Sequence, residues 1–477
     1  MVNSRKDYIC ISVLFAVNLL NYVDRYTVAG VLTKVQGYFV PEIDDSEAGL
    51  IQTVFLIAFM LFSPVCGYLG DRFNRKLIMM VGVSIWLGAV LASTFVPKNH
   101  FWMFLLFRGL VGIGEASYSN LAPSIISDMF NGTRRSHVFM LFYFRRAGRK
   151  KGSSDLRNFF SGLGFIVGSN VASLTGQWQW GVRVTALAGV VVLALMVFLV
   201  FEPERGAADR VAGTTTIVEK SENYWSDIKS LLRIPTFISC TWGYTALVFV
   251  AGSLAWWEPT VIEHSIAWSK GLNDTADLDS ATSTQVGLIF GMILMIAGLF
   301  GVIIGTIVSG WIIKGTGPFR IIQTARAQPL VCTFGSLIGS PLLFCVFFFG
   351  HRGLLLIWIL LFFTNLCLCL NWGLNVDIVA SVVSPARRST AFAYLTLTSH
   401  LFGDATGPYI IGKVSDTFRK GSDLPKDQYH SLIKASYICV ALLIVSAILY
   451  FLSSLTILQD QQKVQATAWY ISFGLCN

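Results

Sequence analysis

Residues 67–76 read GYLGDRFNRK, a short loop with one acid and three cations. It lies between two apolar runs, 48–70 and 77–96, each long enough for the roughly 20 residues that cross a bilayer core. Gly67 and Gly70 permit close helix approach. Asp71 is suited to sit at a helix N-terminus or to pair with a neighbouring arginine, which would latch two helical bundles at this face. Arg72, Arg75 and Lys76 complete the loop. An ordinary basic loop at a membrane surface is the plainer alternative.

Outward from this loop, the same criterion marks spans at 8–32, 48–70, 77–96, 101–126, 137–174, 183–201, 236–258, 286–313, 329–349, 353–379, 389–412 and 431–456. The expectation is an all-α membrane protein with twelve transmembrane helices in two six-helix bundles, helix five being interrupted by a basic insert. The bundles are 1–201 and 236–456, with a cytosolic central loop at 202–235 and a cytosolic tail at 457–477. Composition agrees: 54% of residues are hydrophobic and 13% charged, against about 25% charged in soluble chains. A soluble enzyme or a nucleic-acid-binding domain is excluded. The net charge of +9 is the bias of cytoplasmic loops. With the N-terminus inside, inner loops and tails hold 18 Lys and Arg and outer ones ten, which places both termini in the cytosol.

The nine cysteines form no CxxC pair, so neither a disulfide framework nor a zinc site is indicated. No P-loop, nucleophile elbow or HExxH is present. No enzyme, cofactor or metal is expected.

Several charges lie inside spans, where an ionised group costs about 2.5–3.5 kcal/mol on insertion scales and defaults to a functional role. Span four reads RGLVGIGEASYSN from Arg108. Arg108 and Glu115 are seven apart and share a helix face. Span one carries NYVDR, with Tyr22, Asp24 and Arg25. Asp24 and Arg108 fall level with each other and are expected to pair. Glu115 lies deeper, and its desolvated carboxyl is suited to bind and release a proton. Proton coupling is therefore assigned to Glu115, Asp24 and Arg108, with buried packing ions as the competing reading. Span eleven places His400 and Asp404 on one face, and span ten places Asn371 beside Trp372. These residues can line a cavity with Arg25, Arg108, Tyr22 and Tyr118, although a lone buried histidine is more often structural.

The halves echo each other. Span four is followed by Arg134-Arg135-Ser136 and span ten by Arg387-Arg388-Ser389, and each of these leads into a small-residue helix. Matching positions suggest a duplicated unit. NYVDR, GYLGDRFNRK, FRGLVGIGEASYSNLAP and SHLFGDATGPYIIGKVSD together resemble the spinster branch of the major facilitator superfamily from about residue 8 to 456. The loop at 67–76 is similar to that superfamily's signature between helices two and three. The resemblance implies an alternating-access transporter of lysophospholipids or sphingoid lipids of the sphingosine-1-phosphate type. It also implies proton linkage and residence in the lysosomal or late endosomal membrane or the plasma membrane. Arg25 or Arg108 would hold a phosphate.

One segment departs from the resemblance. After Phe144 the chain reads RRAGRKKGSSDLRN, with six cations and one acid where a membrane helix is expected. Ser136 to Gly168 is 32 residues, whereas Ser389 to Gly412 is 23. The expected outcomes are an extruded loop, a broken helix five or a transport-inactive isoform; a cytosolic extension whose helix restarts near Phe159 competes with a splicing or gene-model error as the origin of the run. A carrier of another small organic anion is the other alternative.

Overall fold

The structure, a computed structural model, describes residues 4–129, 156–203, 224–319, 323–350, 353–384, 387–419, 421–422 and 424–472. The backbone of an apolar segment in hydrocarbon must satisfy its own hydrogen bonds, and a helix does so within one segment. Among the described residues the helices make twelve passes, nine of them long and apolar enough to cross a membrane. The first six are α1 (Ser4–Ala29), α3 (Asp45–Arg72), α4 (Arg75–Ser93), α5 (Phe101–Met129), α6 (Leu156–Thr175) and α7 (Trp178–Leu199), with a short α2 (Leu32–Gln36) after α1. A linker helix, α8 (Tyr224–Leu231), precedes α9 (Pro235–Ser269), α10 (Ser280–Lys314), α11 (Ala327–Phe349) and α12 (Leu354–Val382). The eleventh crossing is composite: α13 (Arg388–Ser399), a π-turn at His400–Asp404, and α14 (Gly407–Arg419). The twelfth is α15 (Pro425–Ser472).

Local chemistry sets several ends. Asn74 Oδ1 accepts from Leu77 N at 2.9 Å and starts α4, filling one of the four orphan donors of a helix N-terminus. Pro235 opens α9, where its missing N–H costs nothing. Gly315 ends α10 at φ 60°, the left-handed conformation a glycine adopts freely.

Two boundaries differ instructively from expectation. The seventh crossing continues eleven residues past 258, to Ser269, so Glu258 is not a helix end at the membrane surface. Residues 457–472 are not a separate tail; they prolong α15. Asp460 on that extension accepts from Thr236 N at 3.2 Å and Thr236 Oγ1 at 2.8 Å, capping the start of α9. The basic run 145–155 and the Arg134-Arg135-Ser136 stretch lie outside the described residues. The fifth crossing is described from Leu156, three residues before Phe159.

The first six crossings pack mainly on one another, through α3 with α5, α4 with α5, and α1 with α6 and α7; the last six do so through α9 with α15, α11 with α12 and α15, and α10 with α12. The two sets meet chiefly along α6–α10 and α3–α14. Glycine makes the close approaches. A Cβ at Gly412 would stand 2.2 Å from Asp45 O, and one at Gly291 would stand 2.5 Å from Gly162 O, distances that no side chain tolerates.

Candidate functional site

Asp24 and Arg25 are adjacent on α1, so their side chains point about 100° apart and reach different partners on α5. Arg25 Nη2 donates to Glu115 Oε2 at 3.0 Å. Arg108 Nη1 lies 4.0 Å from Asp24 Oδ2. Thr185 Oγ1 donates to Asp24 Oδ1 at 2.8 Å, and Trp86 Nε1 donates to Asp24 Oδ2 at 3.2 Å. The Phe55 ring serves both cations, its centroid 4.6 Å from the Arg25 guanidinium carbon and 5.5 Å from that of Arg108. All four ions are buried. Two carboxylates against two guanidiniums leave no net charge, which is what makes such burial tolerable. Sequence reading missed the Arg25–Glu115 pair, because a depth estimate does not give the rotation of α1 about its axis.

Arg25 alone of these four borders a central cavity. Its wall also includes Tyr26, Leu294, Asn365, Trp372 and Asp404. Arg25 and Tyr26 come from the first six crossings and the others from the last six. Asp404 Oδ1 lies 2.8 Å from His400 Nδ1. The pair sits in the π-turn, a local widening that recurs at functional sites, and Gly252 on α9 lets that helix approach Asp404, whose Cβ would be 2.6 Å from a Cβ there.

The remaining expected cavity residues sit elsewhere. Asp24, Arg108 and Glu115 stand behind Arg25, away from the wall. The Tyr22 ring packs 5.7 Å from the Arg25 guanidinium carbon without lining the cavity. Tyr118 Oη donates to Leu14 O on α1. Asn371 turns to its own helix, Nδ2 donating to Leu368 O at 3.3 Å. The Asn that does line the cavity is Asn365, six residues earlier in the same apolar run. Its polarity within LLFFTNLCLCLN was the available signal.

The sequence profile of the Major Facilitator Superfamily matches residues 14–408. Protein spinster homolog 1 of Xenopus laevis is 40% identical over 468 residues, 97% of this chain and 84% of that protein. Protein spinster homolog 1 of Homo sapiens is 41% identical over 415 residues, 87% of this chain and 74% of that protein. The chain belongs to the spinster family of the Major Facilitator Superfamily. Among solved structures, a bacterial homologue of the human lysosomal transporter Spinster, inward-facing and occupied, superposes with a TM-score of 0.75 at 19% identity, covering 94% of this chain and 97% of that one. The spinster-family protein is accordingly an integral multi-pass secondary transporter and not an enzyme.

In this transporter the loop at 67–76 braces the first six crossings. Arg75 Nε donates to Glu202 Oε1 at 2.9 Å and Nη1 to Ser124 Oγ at 2.8 Å, while Lys76 Nζ donates to Val197 O at 2.7 Å. The Arg72 guanidinium stacks 3.7 Å from the Tyr68 ring centroid. Gly70 lets α3 close on Leu121 of α5, and Gly67 faces open space. These contacts stay within one set of six helices. The expected latch to the other set is not what they form; the Asp71 side chain lies outside the described residues.

The clasp between the sets is at the opposite end, and sequence reading missed it. Asp416 on α14 accepts from the backbone N–H of Asp45 at 3.1 Å and of Ser46 at 2.9 Å. A carboxylate from one half thus caps the orphan donors of a helix in the other. Ser415 Oγ donates to Asp45 Oδ2 at 2.8 Å, and Arg419 pairs with Asp44. Thr33 donates to Glu263 at a second corner of the same end.

Proposed function

We propose that this transporter carries lysophospholipids or sphingoid lipids by alternating access, linked to protons. The observation that carries the reading is the cavity wall: Arg25 from one half and Asp404 from the other, on a surface otherwise formed largely of apolar and aromatic groups. A phosphate suits the guanidinium fork, an ammonium suits Asp404, and an acyl chain suits Leu294, Leu368 and Trp372. In this reading 1–201 and 236–456 rock against each other about the cavity. The clasp of Asp44, Asp45, Asp416 and Arg419 is the extracytosolic gate, and both termini are cytosolic. The lysosomal or late endosomal membrane is the favoured site, because the human counterpart of the bacterial structure is described as lysosomal.

Arg25 links cargo and proton. It borders the cavity and holds Glu115 at the same time. A phosphate that draws the guanidinium forward weakens its bond to Glu115, and the freed carboxylate takes a proton. Departure of the cargo reverses both steps. Arg108, with Nε and Nη2 buried and unpartnered among the described residues, is positioned to follow.

The test is uptake by proteoliposomes of lysophosphatidylcholine and sphingosine-1-phosphate, against simple organic anions and sugars, with and without an imposed proton gradient. Lipid uptake should exceed the others, and the gradient should change its rate. In Glu115→Gln that pH dependence should vanish. Preference for a non-lipid anion, or unaltered pH dependence in Glu115→Gln, refutes the reading.

A further inference from the structure

Glu258 lies on α9 within the span, about 16 Å by helical rise from the end at Ser269. It is 3% exposed. No hydrogen bond or ion pair holds it among the described residues, unlike Asp24, Glu115 and Asp404. A buried carboxylate without a partner is costly, and an ionisable group at this depth defaults to a role.

Its surroundings supply one. Glu258 borders a narrow cleft inside the last six crossings, distinct from the central cavity, lined also by Ser265, Val346, Gly350, Ile357 and Tyr429. The free space is about 10 Å³, which admits about one water and no organic group. Polar groups mark one end of it. Ser265 Oγ donates to Gly350 O at 3.1 Å, and the Tyr429 hydroxyl, on a side chain 2% exposed, has no partner among the described residues. A Cβ at Gly350 would stand 2.3 Å from that hydroxyl, so only glycine leaves it room. Ser265 is about 10 Å of helical rise beyond Glu258, toward the clasped end. On the other side, Ala255, nearly one turn before Glu258, belongs to the wall of the central cavity. One stretch of α9 therefore runs from the cavity, past Glu258, to the polar end of the cleft.

We infer that Glu258 is a second proton-binding site, loaded through this cleft from the clasped end of the molecule. The ligand follows from the lining. A metal ion would need several oxygens around it, whereas the cleft has room for about 10 Å³ and most of its lining is aliphatic: Val261, Ile262, Val346, Ile357 and Ile433. A proton needs only the carboxylate: water in the cleft delivers it, Glu258 becomes a neutral acid, and hydroxide or buffer base carries away the balance. The titratable groups facing Glu258 are Tyr429 and Cys439 of α15. Neighbouring His264 lies within electrostatic reach of Arg419. The site is independent of the cargo and of Glu115.

Infrared difference spectroscopy of the full-length protein in liposomes, stepped in pH without cargo, tests this. Wild type should show a protonated-carboxyl band that is lost in Glu258→Gln, persists in Glu115→Gln, and moves in Glu258→Asp and Tyr429→Phe. A band identical to wild type in Glu258→Gln overturns the proposal. Should that variant not fold, an unmoved band in both Glu258→Asp and Tyr429→Phe overturns it equally. So does a wild-type spectrum that responds to sodium replacing choline at fixed pH and not to pH itself. Because no lipid is present, the result does not depend on the cargo assigned above.

Discussion

Two carboxylates in each half of the transporter are compensated in opposite ways: Asp24 and Glu115 in the first, Asp404 and Glu258 in the second. In the first, Asp24 and Glu115 face Arg108 and Arg25, guanidiniums that stay charged at any physiological pH. In the second, Asp404 lies against the imidazole of His400, and no cation pairs with Glu258 among the described residues. In the first half each carboxylate is held by a permanent cation, so under the proposed mechanism Glu115 takes a proton only when Arg25 leaves it. In the second half, under the proton site proposed above, it is the charge of Glu258 itself that changes. Under the proposed lipid and proton linkage the two arrangements serve different steps: Arg25–Glu115 exchanges partners when cargo binds, and Glu258 binds its proton separately.

The contrast is broken most forcefully in the first half. Arg25→Ala removes the partner of a fully buried carboxylate, a loss worth about 3–5 kcal/mol in buried pairs. The expected result is a strongly lowered Tm of the purified protein and loss of lipid uptake. Adding Glu115→Gln to Arg25→Ala should recover most of the stability and none of the uptake, since the leftover charge is gone while the phosphate contact remains absent. A double variant no more stable than Arg25→Ala would show that the pair is not the energetic unit described here. Arg25→Lys should fall between, because lysine keeps the charge and loses the fork.

The same contrast explains what could be read in advance. Twelve crossings were visible as apolar runs, since hydropathy alone decides what a bilayer accepts. The depth of Asp24 and Arg108 was also visible, because position along a helix converts to ångströms. Rotation was not, and that hid Arg25–Glu115. Glu258 was hidden for another reason: the polar cluster Glu258, Glu263 and His264 looks like the end of a span, but these residues are buried inside the protein. The clasp of Asp45 and Asp416 joins positions 371 apart in sequence, and no local pattern announces such a pairing. The quoted run GDATGPYIIGKVSD contains Gly412 and Asp416, but only as a helix of small residues whose partner was unknown.

A milder change sharpens the second half's side of the comparison. Asp404 and His400 are 16% and 18% exposed, so water shares in their stabilisation and the pair is worth less than a dry one. Asp404→Asn should leave the Tm nearly unchanged and raise the KM for cargo with an ammonium group about tenfold, the equivalent of about 1.4 kcal/mol. Cargo with phosphate and no cation should be affected much less. Equal losses for both cargoes would mean that Asp404 shapes the cavity without reading charge.

The smallest effect is expected at the clasp, where ions bridge the halves and, in the proposed alternating-access cycle, part on each turn. Arg419 is buried while its partner Asp44 is 58% exposed, which limits the pair to the 0.2–1 kcal/mol of a half-wet ion pair. Asp416 keeps its two backbone donors whether or not Arg419 is present. Arg419→Ala should therefore shift the balance toward the state open at this end by no more than about fivefold, read as a growing long-distance population between spin labels at exposed Val40 and Lys413. Asp416→Ala leaves the N–H groups of Asp45 and Ser46 without their acceptor in the closed state and should shift the same population further. If Arg419→Ala proves the stronger of the two, the closed end is held by the ion pair, and the cap that one half places on a helix of the other is incidental to gating.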